Sequence, residues 1–561
     1  MVTNKYITKI ASVIMAAAVI LCLLACAFSQ KLQAVYGNNA VAMEYESKLF
    51  DTDQIMDIDI LMDEDDWNDM LENAISEEYY SCDVVVNGKT FYSVGIRPKG
   101  NTSLSSIVND PDTDRYSFKL EFDHYIEGQT CYGLDKLILN NNYADATNMK
   151  EAIVYDMYQY LGVDASLYNY AKISVNGDYR GVYLALEAVE DSFMLRNYGT
   201  EDGNLYKPES MGIGGGVDGN GFPQKGEMPN GEDFPQKGEM PDGEDFPQMG
   251  EAPNGEAADI KMGIMGGNGG ADLNYTDDDL DSYSTIWDGE ITDTDKKDHK
   301  RVVEALKNIS EGTDLETYMD VDNILKYMAV HTFVVNDDSL SGTMAHNYYL
   351  YEYNGKLNIL PWDYNLSFGG MSMGGKMGGQ SLGATSVIND AIDTPFSITD
   401  FFNALLENEE YLEQYHGYLN ELVEKYVNGG EFEKTYERIR SQIDDLVGND
   451  PTAFYSYEEY EEAANMLIEV VQLRAKSVSG QLAGTIPSTD EGQQQDSSNL
   501  IDGSDIDLSV MGSFSGGGGG NEGQGKDNGF AGTPQPFDAG DVSPISEEKA
   551  DLQDSNQDSV K

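Results

Sequence analysis

The chain has 561 residues, room for about two to four domains, and carries 99 acidic against 35 basic residues for a formal net charge of −64. This balance excludes nucleic acid as a partner, because neutralising a phosphate backbone needs a basic face. It favours solubility in surroundings rich in salt or divalent cations, and any polyphosphate site must be locally basic or metal-loaded against the overall field.

Lys5 and Lys9 precede an uncharged apolar run over residues 10–28, so residues 1–30 read as a signal peptide or membrane anchor. The run reaches the roughly 18 apolar residues that span a bilayer. Leu23-Leu24-Ala25-Cys26 resembles a bacterial lipobox, with Cys26 as the lipidated residue. Each version places the bulk of the chain outside the cytoplasm, anchored to a membrane or secreted. Cys82 and Cys131 make either one disulfide or two separate buried thiols. The sequence has no CxxC pair and no Cys/His cluster, which excludes a structural zinc site.

Residues 49–207 read as a β-rich unit. Residues 55–62 alternate apolar with acidic side chains, as a half-buried strand does. Residues 82–86 and 90–96 flank Asn87-Gly88, a hairpin signal, and residues 116–122 (YSFKLEF) alternate strictly, with Lys119 opposite the aromatic face. A short strand over 137–139 precedes a helix over 147–161, ended by Gly162. A second Asn-Gly hairpin joins 171–175 to 179–186.

Residues 208–270 break this pattern. Phe222, Phe234 and Phe246 each open a near-identical twelve-residue unit rich in Gly, Pro and charge, too poor in branched apolar residues to fold, so disorder is expected. Residues 271–483 are predominantly helical, with helices predicted over 301–308, 315–333, 400–427, 432–447 and 458–482. From 484 to 561 the composition is Gly, Ser, Asp and Gln, the signature of a disordered acidic tail.

One β element interrupts the helical half. Residues 346–353 and 356–363 flank Asn354-Gly355, the strongest short-range hairpin signal because both turn residues take φ > 0. The hairpin brings Asn347, at one end, close to Asp363, at the other, with Asp338 and Asp337 shortly upstream. An Asp, an Asn, a short hairpin and an Asp is the layout by which protein kinases assemble a base and two Mg2+ ligands. Asp363 and Asn347 are the candidate metal ligands, as hard oxygen donors, and Asp338 the candidate base, with Asp337 as its alternate. Lys119 is the candidate phosphate cation, with Glu151 on the predicted helix as its partner. Arg97 and Lys99, in GIRPKGNTS, offer two further cations on a Gly-containing turn. Residues 184–190, with Glu187, lie where a hinge accepts adenine.

GIRPKGNTS, YSFKLEFD, SVNGDYRGVYLALEAVE, GNLYKPE and HNYYLYEYNGKLNILPWDYNLSFGG together resemble the spore coat protein H (CotH) kinases over about residues 50–480. The resemblance implies an atypical bilobal protein kinase-like α+β fold with a β-rich N-lobe and a helical C-lobe. It also implies transfer of the ATP γ-phosphate, with Mg2+ or Mn2+, to Ser residues of a Ser-rich protein, and spore-coat or cell-surface association. It favours Asp338 over Asp337 as base. One departure stands out: the family commonly reads Trp-Asp-Leu-Asp where this chain has Trp362-Asp363-Tyr364-Asn365. The rival expectation is a pseudokinase or adhesin of the same fold, displaying the repeat and the tail. The sequence defines neither the physiological substrate nor an oligomeric state.

Overall fold

Seven strands close on themselves in the first half of the chain: β1 (Met56–Leu61), β2 (Tyr80–Val86), β3 (Lys89–Lys99), β4 (Ser117–Glu121), β5 (Lys136–Asn140), β6 (Tyr168–Val175) and β7 (Asp178–Glu187). Their order around the barrel is β1-β2-β3-β4-β5-β7-β6, with every pairing antiparallel except β1 with β6. The computed structural model describes residues 41–209, 269–342, 345–371, 383–396 and 398–512. The N-terminal apolar run, nearly all of the repeat insert and the tail beyond 512 lie outside the described residues.

The alternation in the sequence decides which side chains fill the barrel. Ile58, Ile60, Val84, Val86, Ile96, Phe118, Leu120, Leu137 and Leu139 point inward into one apolar core. Cys82 and Cys131 join that core as free thiols, so the two are not bonded to each other. The outward positions of β3, β4 and β5 carry Arg97, Lys99, Lys119 and Lys136, since inward and outward side chains alternate. Both Asn-Gly turns form with left-handed backbone, φ being 49° and 80° at Asn87-Gly88 and 52° and 87° at Asn176-Gly177. Their asparagines do a second job. Asn176 exchanges hydrogen bonds with the backbone of Met62 at 2.9 and 3.0 Å, and Asn87 accepts from the Asp57 N–H at 3.0 Å. The turns thereby clasp β1, the strand that closes the barrel.

The remaining layers are helical: α1 (Lys150–Leu161), α2 (Lys296–Ser310), α3 (Val321–Val334), α4 (Glu409–Glu421), α5 (Glu431–Gly448) and α6 (Tyr457–Leu482). Helix α1 is buried around most of its circumference because it lies between the barrel and α3, and its apolar residues belong to the helical core. The segments expected as single helices over 315–333 and 400–427 are interrupted. Met319 is extended between Leu315–Tyr318 and α3, and Asn408 caps α4 separately from Asn403–Leu406. Side-chain caps at Asp320 and Asn408 restart the helices, a local signal that apolar periodicity alone hides.

The hairpin forms as β9 (Tyr348–Tyr353) and β10 (Lys356–Pro361), with φ of 55° at Asn354 and 85° at Gly355. A third strand, β8 (Asn204–Tyr206), pairs with β9, so the end of the first half belongs to the hairpin's sheet. The expected tail boundary at 484 is also moved. Residues 484–512 pack on the body, with Ile486 and Met511 buried and the Ala146 N–H donating to the Met511 carbonyl at 3.1 Å. Ile486, Ile506, Leu508 and Met511 pack on the core, and Asn389 bonds both the carbonyl and the N–H of Ile501 at 2.8 and 2.9 Å, holding a segment whose composition otherwise reads as disordered.

A buried ion pair joins barrel to helices. Arg115 reaches Asp450, just beyond α5, at 2.8 Å, and both side chains are 2% exposed. The same guanidinium donates to the carbonyls of Val182, on β7, at 2.6 Å and of Asn141 at 3.0 Å. Removing one partner of such a pair leaves an uncompensated buried charge. Asp450→Ala is expected to cost about 3–5 kcal/mol in a urea melt; a loss below about 1 kcal/mol would show that the junction is held elsewhere.

Candidate active site

Helix α3 stops just before the candidate residues Asp337 and Asp338. Its last carbonyls, at Thr332 and Phe333, accept from the buried guanidinium of Arg474 at 2.7 and 3.1 Å, and the same group reaches the carbonyls of Ile388 and Asp390 at 3.2 and 2.7 Å. Orphan C-terminal carbonyls and the negative end of the helix are thus satisfied by one cation. Val335 then turns left-handed, with φ of 49°. Asn347 and Asp363 share this conformation at 58° and 59°. Left-handed backbone is costly for residues with a side chain, above all for a β-branched valine, and such strain clusters at functional sites.

These turns converge. Asp338 accepts from the Asn347 side-chain N–H through its carboxylate at 3.1 Å and its carbonyl at 2.7 Å, and it pairs with His346 Nε2 at 2.9 Å. The Asn347 Oδ1 accepts no hydrogen bond among the described residues, so it is free for a cation. Asp363 is half-buried between the charges of Lys99, Asp338, Lys207 and His346. Burial pushes its carboxyl pKa up, Asp338 adds to the rise, and Lys99 and Lys207 oppose it. Asp337 is exposed and makes no side-chain hydrogen bond to the cluster among the described residues; its charge bears on both Asp338 and Asp390. The two adjacent aspartates therefore face different surroundings, and only Asp338 joins the cluster.

The barrel supplies the opposing wall. Lys99 donates to the Asn140 Oδ1 at 3.2 Å and lies 5.7 Å from the centre of the Trp362 ring. Asn140 in turn donates to Glu151 Oε2 at 2.9 Å, while Glu151 Oε1 is buried without a partner. Lys207 pairs with Glu209 at 2.6 Å, just before the insert, and lies 5.9 Å from the Tyr349 ring.

Three assignments from sequence are corrected. Lys119 does not meet Glu151; it pairs with Glu190 at 2.5 Å, and Lys136 pairs with the same carboxylate. The register explains this, because Lys119 sits beside Arg97 and Ile138 in mid-sheet, whereas Asn140 at the end of β5 brings Lys99 to α1. Arg97 is engaged with Glu77 and is not presented by a loop, since 96–99 is strand. Glu187 is fully buried, accepting from Arg196 at 2.6 and 2.9 Å, from Tyr45 at 2.5 Å and from the Leu167 N–H at 3.1 Å. Both oxygens of its carboxylate are committed within the fold. Sequence reasoning assigned no role to Lys207, Asn140, His346 or Arg474. Of these, Lys207 lay in the singled-out GNLYKPE stretch and His346 at the start of the hairpin; Arg474 carries no local signal.

The donors fit a hard divalent cation. Mg2+ keeps several waters and takes one or two protein ligands plus phosphate oxygens, and Asp363 with the open Asn347 amide oxygen offers that set. No group of three or more His, Cys, Asp or Glu capable of holding a metal occurs among the described residues. Asn365 lies apart, donating to the Tyr143 carbonyl at 2.8 Å, a bond that an aspartate could not make.

The chain matches the family described as CotH kinase protein over residues 96–478, most of its length and all of the cluster just described. The protein belongs to the CotH kinase family. No curated protein matches this CotH kinase family member.

Burial, with Asp363 second, raises the Glu151 pKa from 4.5 to about 8. Between these values the native metal-free protein holds a proton that the unfolded chain has lost. Stability should therefore fall as pH rises through this window, by up to about 1.4 kcal/mol per pH unit. Glu151→Gln should flatten that slope in urea melts between pH 5.5 and 7.5. An unchanged slope would show that Glu151 is ionised in the native state.

Proposed function

We propose that this CotH kinase family member is an ATP-dependent protein serine kinase with a kinase-like bilobal arrangement, its barrel facing its helical region across the nucleotide. The observation that carries the reading is the convergence of Asp338, Asn347 and Asp363 opposite Lys99 and Lys207. Phosphoryl transfer asks for this set: a base, oxygen ligands for metal, and cations for the phosphates.

In this reading the acceptor serine hydroxyl donates its proton to Asp338 as its oxygen attacks the γ-phosphorus; the bond to the β,γ-bridging oxygen breaks and ADP leaves. His346 and Asn347 hold the Asp338 carboxylate in place. Asp363 and the Asn347 amide oxygen would hold Mg2+ or Mn2+, whose charge would offset the negative charge of the phosphates. Lys99 and Lys207 face the polyphosphate, and the Asn140 amide keeps Lys99 from collapsing onto Glu151. Because Asn365 is spent on a backbone carbonyl, the departure from Trp-Asp-Leu-Asp leaves Asp363 and Asn347 untouched.

We place the protein outside the cytoplasm, held by its N-terminal apolar run or by lipidation at Cys26, with a Ser-rich surface or spore-coat protein as substrate. The run over 10–28 supports this. No described helix is long and apolar enough to cross a membrane, and that run lies outside the described residues.

Incubating the purified protein with labelled ATP, Mg2+ or Mn2+ and a Ser-rich protein tests the reading. Transfer is expected, and Asp363→Ala should remove it at a cost on the order of several kcal/mol in the barrier while the fold persists. Absence of transfer by the folded wild type with either metal would select the rival, a surface-binding pseudokinase. The cations separate as well. Lys99→Met should weaken ATP binding in calorimetry by at least about tenfold, whereas Lys119→Met, already paired with Glu190, should change it less than about threefold. The reverse order would return the phosphate-binding role to Lys119. Because the protein is so acidic, ATP binding should also collapse in EDTA; tight metal-free binding would contradict the metal-bridged site.

A further inference from the structure

One buried histidine links the two halves of the catalytic cluster. His331, on α3, is 2% exposed and lies between the rings of Tyr327 and Phe396, at 5.4 and 5.2 Å and nearly parallel to both. Its Nδ1 is 3.0 Å from the Tyr364 hydroxyl, next to Asp363 in the chain. Its Nε2 is 2.8 Å from the Ser341 hydroxyl and 3.2 Å from that of Ser339, next to Asp338.

The direction of these bonds follows from counting protons. A neutral imidazole donates from one nitrogen and accepts at the other, and a serine hydroxyl has a single proton to give. Ser339 and Ser341 each lie 2.9 Å from the Asn336 carbonyl, which can only accept, so both protons are spent there. The serine oxygens therefore accept from His331, and Nε2 carries the hydrogen. Nδ1 is then bare and accepts from Tyr364. With the Tyr364 proton committed, the Tyr158 hydroxyl, 2.5 Å away on α1, donates to Tyr364. The chain runs one way, from α1 through Tyr364 and His331 to the backbone of Asn336. An imidazolium would point a donor at Tyr364 and reverse the chain. Burial opposes that by holding the ring pKa down at about 3.

We propose that His331 is a positioning residue that, as the neutral Nε2–H tautomer, sets the spacing between the Asp338 loop and the Asp363 turn. The proposal rests on the kinase reading of those two aspartates. Its physical content is rigidity: the ring is pinned between two aromatic faces and bonded at both nitrogens, so neither turn moves without breaking a buried hydrogen bond.

The test compares His331→Phe with His331→Gln in the full chain. Phe keeps the planar shape and loses both bonds, whereas Gln can return a donor to the Ser341 side. His331→Phe should lower kcat by about 10- to 100-fold. KM for ATP should stay within about threefold, because Lys99 and Lys207 are untouched. His331→Gln should recover part of kcat. A folded Phe variant with wild-type kcat overturns the proposal, as does an equal loss in both parameters that Gln does not relieve. Should neither variant fold, ring-15N NMR of the wild type decides, its five histidines being few enough to assign. A protonated Nε2 with a bare Nδ1 at neutral pH supports the strut, and the other tautomer or an imidazolium sinks it. A wild type that transfers no phosphate defeats the kinase reading, and with it the positioning role, while the NMR result still reports the tautomer by itself.

Discussion

The contact between Arg115 and Asp450 is the constraint on which the rest depends, because the candidate site is divided between two structural layers. Lys99 and Asn140 belong to the barrel, Asp338, Asn347 and Asp363 to the helical region and its hairpin, and Glu151 to the helix between them. Neither layer alone assembles the set. The guanidinium of Arg115 touches β7, the Asn141 loop and the chain beyond α5 at once, with both charges withdrawn from water. Buried pairs of this kind contribute modest net stability, but they penalise any displacement that separates the partners. Register between the layers is therefore held more tightly than apolar packing, which tolerates sliding, would hold it.

Electrostatics divides the barrel's outer face into two zones. Toward one end, Lys119 and Lys136 are neutralised by Glu190, and Arg97 by Glu77. Toward the other, among the described residues, Lys99 has only an amide as its hydrogen-bond partner, and nearby Lys207, which follows β8 of the hairpin's sheet, has a single carboxylate. In a chain of net charge −64 this second zone is a local exception. Screening over roughly 8 Å at physiological salt lets such an exception persist against the distant acidic surface. Burial drives Lys99 downward in pKa while Asp363 and Glu151 pull it up, so its charge depends on its neighbours. Lys99 and Asp363 lie near one another without a direct hydrogen bond among the described residues.

Strain and capping cooperate around the same turns. Arg474 ends α3 by saturating its last carbonyls, which lets Val335 adopt a conformation that a β-branched residue avoids. The His331 chain then fixes the loop that follows. The surrounding structure thereby holds Asp338 and Asp363 through several independent contacts.

Local chemistry in the sequence was enough to determine most of the strands, the Asn-Gly hairpins, the main helices and membership of the CotH kinase family, and it singled out Asp338, Asn347 and Asp363 as candidates. Period-two alternation, turn residues with φ > 0 and short motifs are all properties of neighbours in the chain. The partners of Lys119 and Glu187 were decided by tertiary structure. Lys119 meets Glu190 through the pairing of β4 with β5 and of β5 with β7, and Glu187 meets Arg196 where the helix after β7 folds back on that strand. Lys99 lies 52 positions from Glu151, and Asn140, the residue that bridges them, gave no sign of doing so, because β5 reaches β3's neighbourhood only through β4. Ion pairs and hydrogen bonds act over a few ångströms of space, and separation along the chain carries no information about that distance.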